Sequence, residues 1–75
     1  MAEIYIIRNP EILGGKPIIS GTRISVEFIL ELVASGMTIP EIAAEYELSD
    51  EAIRAAVAFA AKGLKGEERI NLEPA

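Results

Sequence analysis

From Val26 onward apolar residues recur every three or four positions, and the recurrence is interrupted twice. Val26, Ile29, Leu30 and Val33 form a first stripe with Glu27 and Glu31 outside it, and Phe28 and Leu32 add a second apolar edge. Ser25 stands ahead of this stripe as an N-cap, and Gly36 after Ser35 offers a left-handed stop. Met37 then precedes Thr38-Ile39-Pro40-Glu41, a capping box in which the threonine hydroxyl accepts from the Glu41 N–H and the glutamate reaches back. Ile39, Ile42, Ala43 and Tyr46 share one face, and Pro40 falls in the first turn, where its missing N–H costs nothing. Glu47 and Leu48 break the period, Ser49 is the next cap, and Asp50 and Glu51 lie where the positive end of a helix favours carboxylates. Ile53, Ala56, Val57 and Ala60 make a third inner stripe. The pattern predicts helices over 25–35, 38–46 and 50–61. The last two are joined by a turn so brief that they must cross steeply, with small Ala43 and Ala56 permitting close approach.

Before Ser25 the pattern is different. Ile4-Tyr5-Ile6-Ile7 is an apolar run of β-formers without polar alternation, which predicts a strand covered on both faces. Asn9-Pro10 marks a turn, Glu11-Ile12-Leu13 suits a single helical turn, and Gly14-Gly15-Lys16-Pro17 is a second turn. Ile18-Ile19 and Arg23-Ile24 flank the turn at Ser20-Gly21-Thr22, giving two or three short strands in a small sheet. Gly14-Gly15-Lys16 lacks the spacing of a phosphate loop and is followed by proline, so it reads as a glycine-permitted turn. The expected fold is mainly α: a three-helix, homeodomain-like helix-turn-helix bundle behind a short N-terminal β element. It forms one domain overall, divided into a β element at 1–24, a three-helix unit at 25–63 and an extended tail at 64–75.

The last helix carries more apolar surface than one core needs. Nine of the twelve residues from Asp50 to Ala61 are apolar, leaving Ala52, Ala55 and Phe59 as a second face beside the inner stripe. Such a face marks a dimer or partner interface, unless the N-terminal strand packs there. Ile4 and Ile6 of that strand, and Ile70 and Leu72 of the tail, are further candidates for partner contact. The tail alternates like a strand, and Gly63 and Gly66 would let it swing. It suits an edge strand added to another chain, or a frayed terminus.

Charge narrows the ligand. The net charge of −5 is unevenly spread: residues 1–24 are net +1, residues 25–61 carry only Arg54 against seven carboxylates, and the tail balances at zero. A module that neutralises phosphates should be basic where it touches them, and the helical half has the wrong sign. For DNA the residues to test are Lys16, Arg23, Ser49 and Arg54. Only Arg54 among those on the helices is a good base or phosphate reader, and Asp50 and Glu51 would repel phosphates. Arg23 suits a phosphate or a partner acid, but a structural pairing with one of the helical glutamates is favoured.

The chain has no cysteine and no histidine, which removes disulfides, thiolate metal sites and the usual acid–base chemistry. Acid–base work would fall on carboxylates, Tyr5, Tyr46 or lysines, and the acidic residues occupy outward helical positions where a solvated face is the ordinary explanation. No enzyme activity, catalytic residue, metal or cofactor is expected. At 75 residues the chain is near the lower limit for one self-sufficient core, so a homodimer or a partner is expected. Without a signal segment or an apolar stretch long enough to span a bilayer, the default compartment is the cytoplasm and no membrane partner is expected.

The run Gly14-Gly15-Lys16-Pro17-Ile18-Ile19-Ser20-Gly21-Thr22-Arg23-Ile24, continuing through Val26 to Ile42, resembles the widespread prokaryotic family called domain of unknown function 433. The likeness extends through Tyr46, Leu48 and Ile53-Arg54-Ala55-Ala56, covering roughly residues 5–61. It implies a trihelical homeodomain-like fold with a short β N-terminus. It also implies an antitoxin-like role, in which the protein binds and silences a small PIN-like nuclease toxin and represses its own operon. The expected function is therefore that of a toxin–antitoxin binding protein with weak DNA contact for autoregulation. The alternative is a homodimeric interaction module that binds no nucleic acid.

Overall fold

Each helix begins where a hydroxyl caps it. The computed structural model describes the backbone of residues 5–68 and the side chains of residues 5–64. Helix α1 runs over Val26–Ala34, and the Ser25 hydroxyl accepts from the Phe28 N–H at 2.9 Å. Helix α2 spans Ile39–Tyr46 behind a complete capping box: Thr38 Oγ1 accepts from the Glu41 N–H at 3.2 Å, and Glu41 Oε1 accepts from the Thr38 N–H at 2.8 Å. Helix α3 starts at Asp50, with Ser49 Oγ accepting from the Ala52 N–H at 3.1 Å. Between α1 and α2, Gly36 takes φ +106°, its N–H donates to the Val33 carbonyl and the Met37 N–H donates to that of Leu32. This paired closure satisfies carbonyls that the helix end would otherwise leave free.

Ahead of the helices, strands β1 (Ile6–Arg8) and β2 (Pro17–Ile19) pair antiparallel, with Ile6 opposite Ile19, Ile7 opposite Ile18 and Arg8 opposite Pro17. The Ser20 N–H donates to the Tyr5 carbonyl at 2.7 Å, so by alternation Arg8–Pro17 is a non-hydrogen-bonded pair and the missing proline donor is not needed there. On its other side β2 meets the incoming segment: the Ile19 N–H donates to Ile24 at 2.9 Å, and Ile18 bridges to Ser25. Thr22 closes the turn between them, its hydroxyl donating to the Ile19 carbonyl and accepting from the Ile24 N–H. The expected helical turn lies two residues later, at Leu13–Gly15, where Leu13, Gly14 and Gly15 all have positive φ.

The core is built on isoleucine. Ile29, Ile42 and Ile53, one from each helix, are fully buried and pack with Ile19, Val26, Ala52 and Ala56. Ile6 and Ile19 present the inner face of the sheet to this cluster. Ile18 is equally buried on the opposite face, where Ile7 and Ile12 lie beside it. The helices thus cover one face of the sheet, while on the other Ile18 is buried and Ile7 and Ile12 stay partly open, so the expected cover on both faces is only partial. Phe28 and Tyr46 meet edge to face at 5.6 Å and tie α1 to the end of α2.

Two expectations are corrected here. Helix α3 does not stop at 61: it continues through Gly63 and Gly66 to Glu68, so the extended tail drawn from 64 begins inside a helix. Glycine lowers helix stability by only about 1 kcal/mol relative to alanine, and the Leu64, Lys65, Glu67 and Glu68 around the pair are good helix formers. The second correction is Ala52, placed on an outward interface by its spacing from Ala55 and Phe59. It is 5% exposed and belongs to the core, because α3 also packs on β1 and β2 along that side.

Candidate functional site

The inner stripe of α3 outlasts the body it packs on. Ala52, Ile53 and Ala56 are buried and Ala60 still packs against the core, but the next residues along the same side, Gly63 and Leu64, run on exposed, Leu64 at 61%. Beneath this overhang lies an open groove of about 430 Å³. Its walls come from three distant parts of the chain: Lys16–Pro17, the first turns of α1 through Leu30, and α3 from Phe59 to Leu64. Its floor is apolar. At its rim Lys16 Nζ contacts Glu27 Oε1 at 3.1 Å, both side chains being more than half exposed. Phe59 edges the groove on the side of β1, and the Arg8 guanidinium sits 5.9 Å from the centre of its ring. Arg8, which the sequence reading did not single out, is therefore the cation nearest the exposed aromatic.

The interface residues expected on α3 divide. Ala52 is core, Ala55 is half-buried, and Phe59 alone is open enough to meet a partner, at 36% exposure. Ile6 is half-buried against the core. Ile4, Ile70 and Leu72 lie outside the described residues. The N-terminal strand does reach this helix: β1 packs on α3, and its Arg8 lies over the Phe59 ring.

The four residues expected at DNA are dispersed. Lys16 belongs to the groove rim and is paired. Arg23 lies on the other side of the sheet, at the edge of a shallow dish floored by Ile7, Ile12 and Ile18. The carboxylate pairing favoured for it is not found: among the described residues no acidic side chain lies within 4 Å of its guanidinium. Ser49 spends its hydroxyl oxygen on the α3 cap, and Arg54 is exposed on α3. Around the α2–α3 turn the exposed acidic residues are Glu41, Glu45, Glu47 and Glu51. Among the described residues no three acidic groups converge as a metal site, and no helix is long and apolar enough to cross a membrane.

Three capped helices on one small core, with a two-stranded antiparallel sheet at the N-terminal end, define a mainly α domain. The chain belongs to the family described as protein of unknown function (DUF433), whose model matches residues 6–60. The match takes in both strands and the first half of α3, and it ends where the overhang begins. No curated protein and no solved structure matches the chain.

Proposed function

We propose that this chain is a non-enzymatic, antitoxin-like protein-binding domain of the cytoplasm. In this reading its homeodomain-like helical unit is a scaffold, and its partner is a small PIN-like toxin that it binds and silences. The observation that carries the reading is the open apolar groove under the α3 overhang, since exposed apolar surface next to polar rims is the mark of a protein contact. Family resemblance supplies the kind of partner. DNA contact for operon control is at most weak, because four exposed carboxylates, Glu41, Glu45, Glu47 and Glu51, surround the α2–α3 turn.

The experiment is co-expression with the product of the adjacent gene, purification through a tag on one chain, and mass determination by light scattering. A stable hetero-complex is expected, lost on Leu64→Asp or Phe59→Asp while both variants keep their helical circular dichroism. A chain that ignores its neighbour and runs as a clean dimer overturns the toxin-binding role. That outcome leaves the homodimeric module without nucleic acid, a reading that the acidic helical surface also favours.

A further inference from the structure

We infer that the groove under the α3 overhang receives a short acidic–apolar segment of the partner protein: two apolar side chains flanked by carboxylates. This rests on the protein-binding reading above and names the chemistry of the occupant.

The groove suits anchoring side chains. A cavity of about 430 Å³ falls in the range that takes a ligand or a few such groups. The floor, with Pro17, Leu30, Phe59 and Leu64, offers apolar contact alone, so what enters it must be apolar. The charges at its edge decide what flanks those anchors. Arg8 stacks on Phe59 and, among the described residues, has no carboxylate within 4 Å. It stands opposite Pro17 in the β1–β2 register, so one cation overlooks two of the groove's walls. Lys16 is held by Glu27, but both groups are well exposed, and such a pair contributes so little that a second carboxylate can share the lysine at small cost. Elsewhere, with Glu27 at the rim, the helical half presents six carboxylates against Arg54. An acidic segment is repelled from that surface and attracted to this rim, an arrangement that sets specificity and approach more than raw affinity.

The test uses the full chain and a synthetic hexapeptide with two leucines one residue apart between glutamates, followed by amide correlation spectra. The control replaces the glutamates by lysines. Expected are saturable shifts confined to the amides around Leu30, Phe59, Ala60 and Leu64, with the lysine peptide at least tenfold weaker at low salt. Arg8→Gln should weaken the acidic peptide about threefold or more without lowering the melting temperature, and added salt should close the gap between the two peptides. Absence of saturation up to about 1 mM, which corresponds to −4.1 kcal/mol, overturns the inference, as does equal binding of the two peptides. Two other occupants have their own signatures, each of which overturns it. A second copy would move the groove amides with protein concentration alone, and the chain's own last residues would move them on joint Ile70→Asp and Leu72→Asp substitution. If the peptide fails while the co-expressed complex persists, only the chemistry of the occupant is wrong. If no complex forms, the protein-binding reading falls first.

Discussion

Glu47 sits at φ 56° and ψ 47°, in the left-handed region, with its own N–H and that of Leu48 both directed at the Ala43 carbonyl. A side chain in this conformation costs about 1–2 kcal/mol, and only glycine adopts it freely. Glu47 is exposed and makes no side-chain bond among the described residues, so nothing local offsets the strain. Glu47→Gly should therefore stabilise the chain by about 0.5–1 kcal/mol, after the added freedom of glycine in the unfolded state is subtracted. For a domain this small that is a rise of several degrees in melting temperature, readable by thermal circular dichroism. A fall instead would mean that the Glu47 side chain has a role in the fold. Leu13 shows the same habit at φ 51° and is 46% exposed. Neither residue was legible as left-handed, because a non-glycine enters that region only when the chain on both sides compels it. Gly36 and Gly21, where glycine itself is the signal, were legible as turns.

At the scale of elements, hydroxyl caps and apolar periodicity were enough to place every helix start: Ser25, Thr38 and Ser49 each accept the backbone bond that their position implied. The two strands were also legible, from unbroken isoleucine runs beside turn residues. The end of α3 was not. Gly36 stops α1 because a new capping box follows and the chain must turn, whereas no such demand falls at Gly63, whose missing side chain faces open space. Gly63→Ala should accordingly stabilise the helix by about 0.5–1 kcal/mol, visible as greater helical ellipticity and a higher melting temperature. An unchanged or lower melting temperature would show that α3 is not helical there in solution. The groove escaped the sequence for a related reason. It needs the overhang, and its walls come from Lys16–Pro17, α1 and the far end of α3, which no local pattern connects.

For the molecule as a whole, the helix, turn and helix of residues 39–68 raise the question whether nucleic acid is a ligand, and charge sets a quantitative expectation for its test. Each phosphate neutralised contributes about −0.9 to the slope of log affinity against log salt. Lys16 and Arg8 flank the groove, which leaves Arg23, Arg54 and Lys62 as the other exposed cations among the described residues. They stand on different surfaces, Arg23 beyond the sheet and the other two on α3, with Glu41, Glu45, Glu47 and Glu51 exposed around the turn between the helices. Duplex DNA titrated with this chain should give a slope no steeper than about −3, corresponding to three contacts. Raising salt from about 50 to 200 mM should then weaken binding by roughly fortyfold, against the 10³–10⁵-fold expected for six to ten contacts. Arg54→Ala should remove about one unit of that slope, and Ser49→Ala should leave the slope unchanged while loosening the α3 cap. A slope of about −6 or steeper would require a basic surface that the described residues do not form. The phosphate contacts would then have to come from an assembly that brings several copies of Arg23 and Arg54 onto one side, and the homodimer would become the DNA-binding unit.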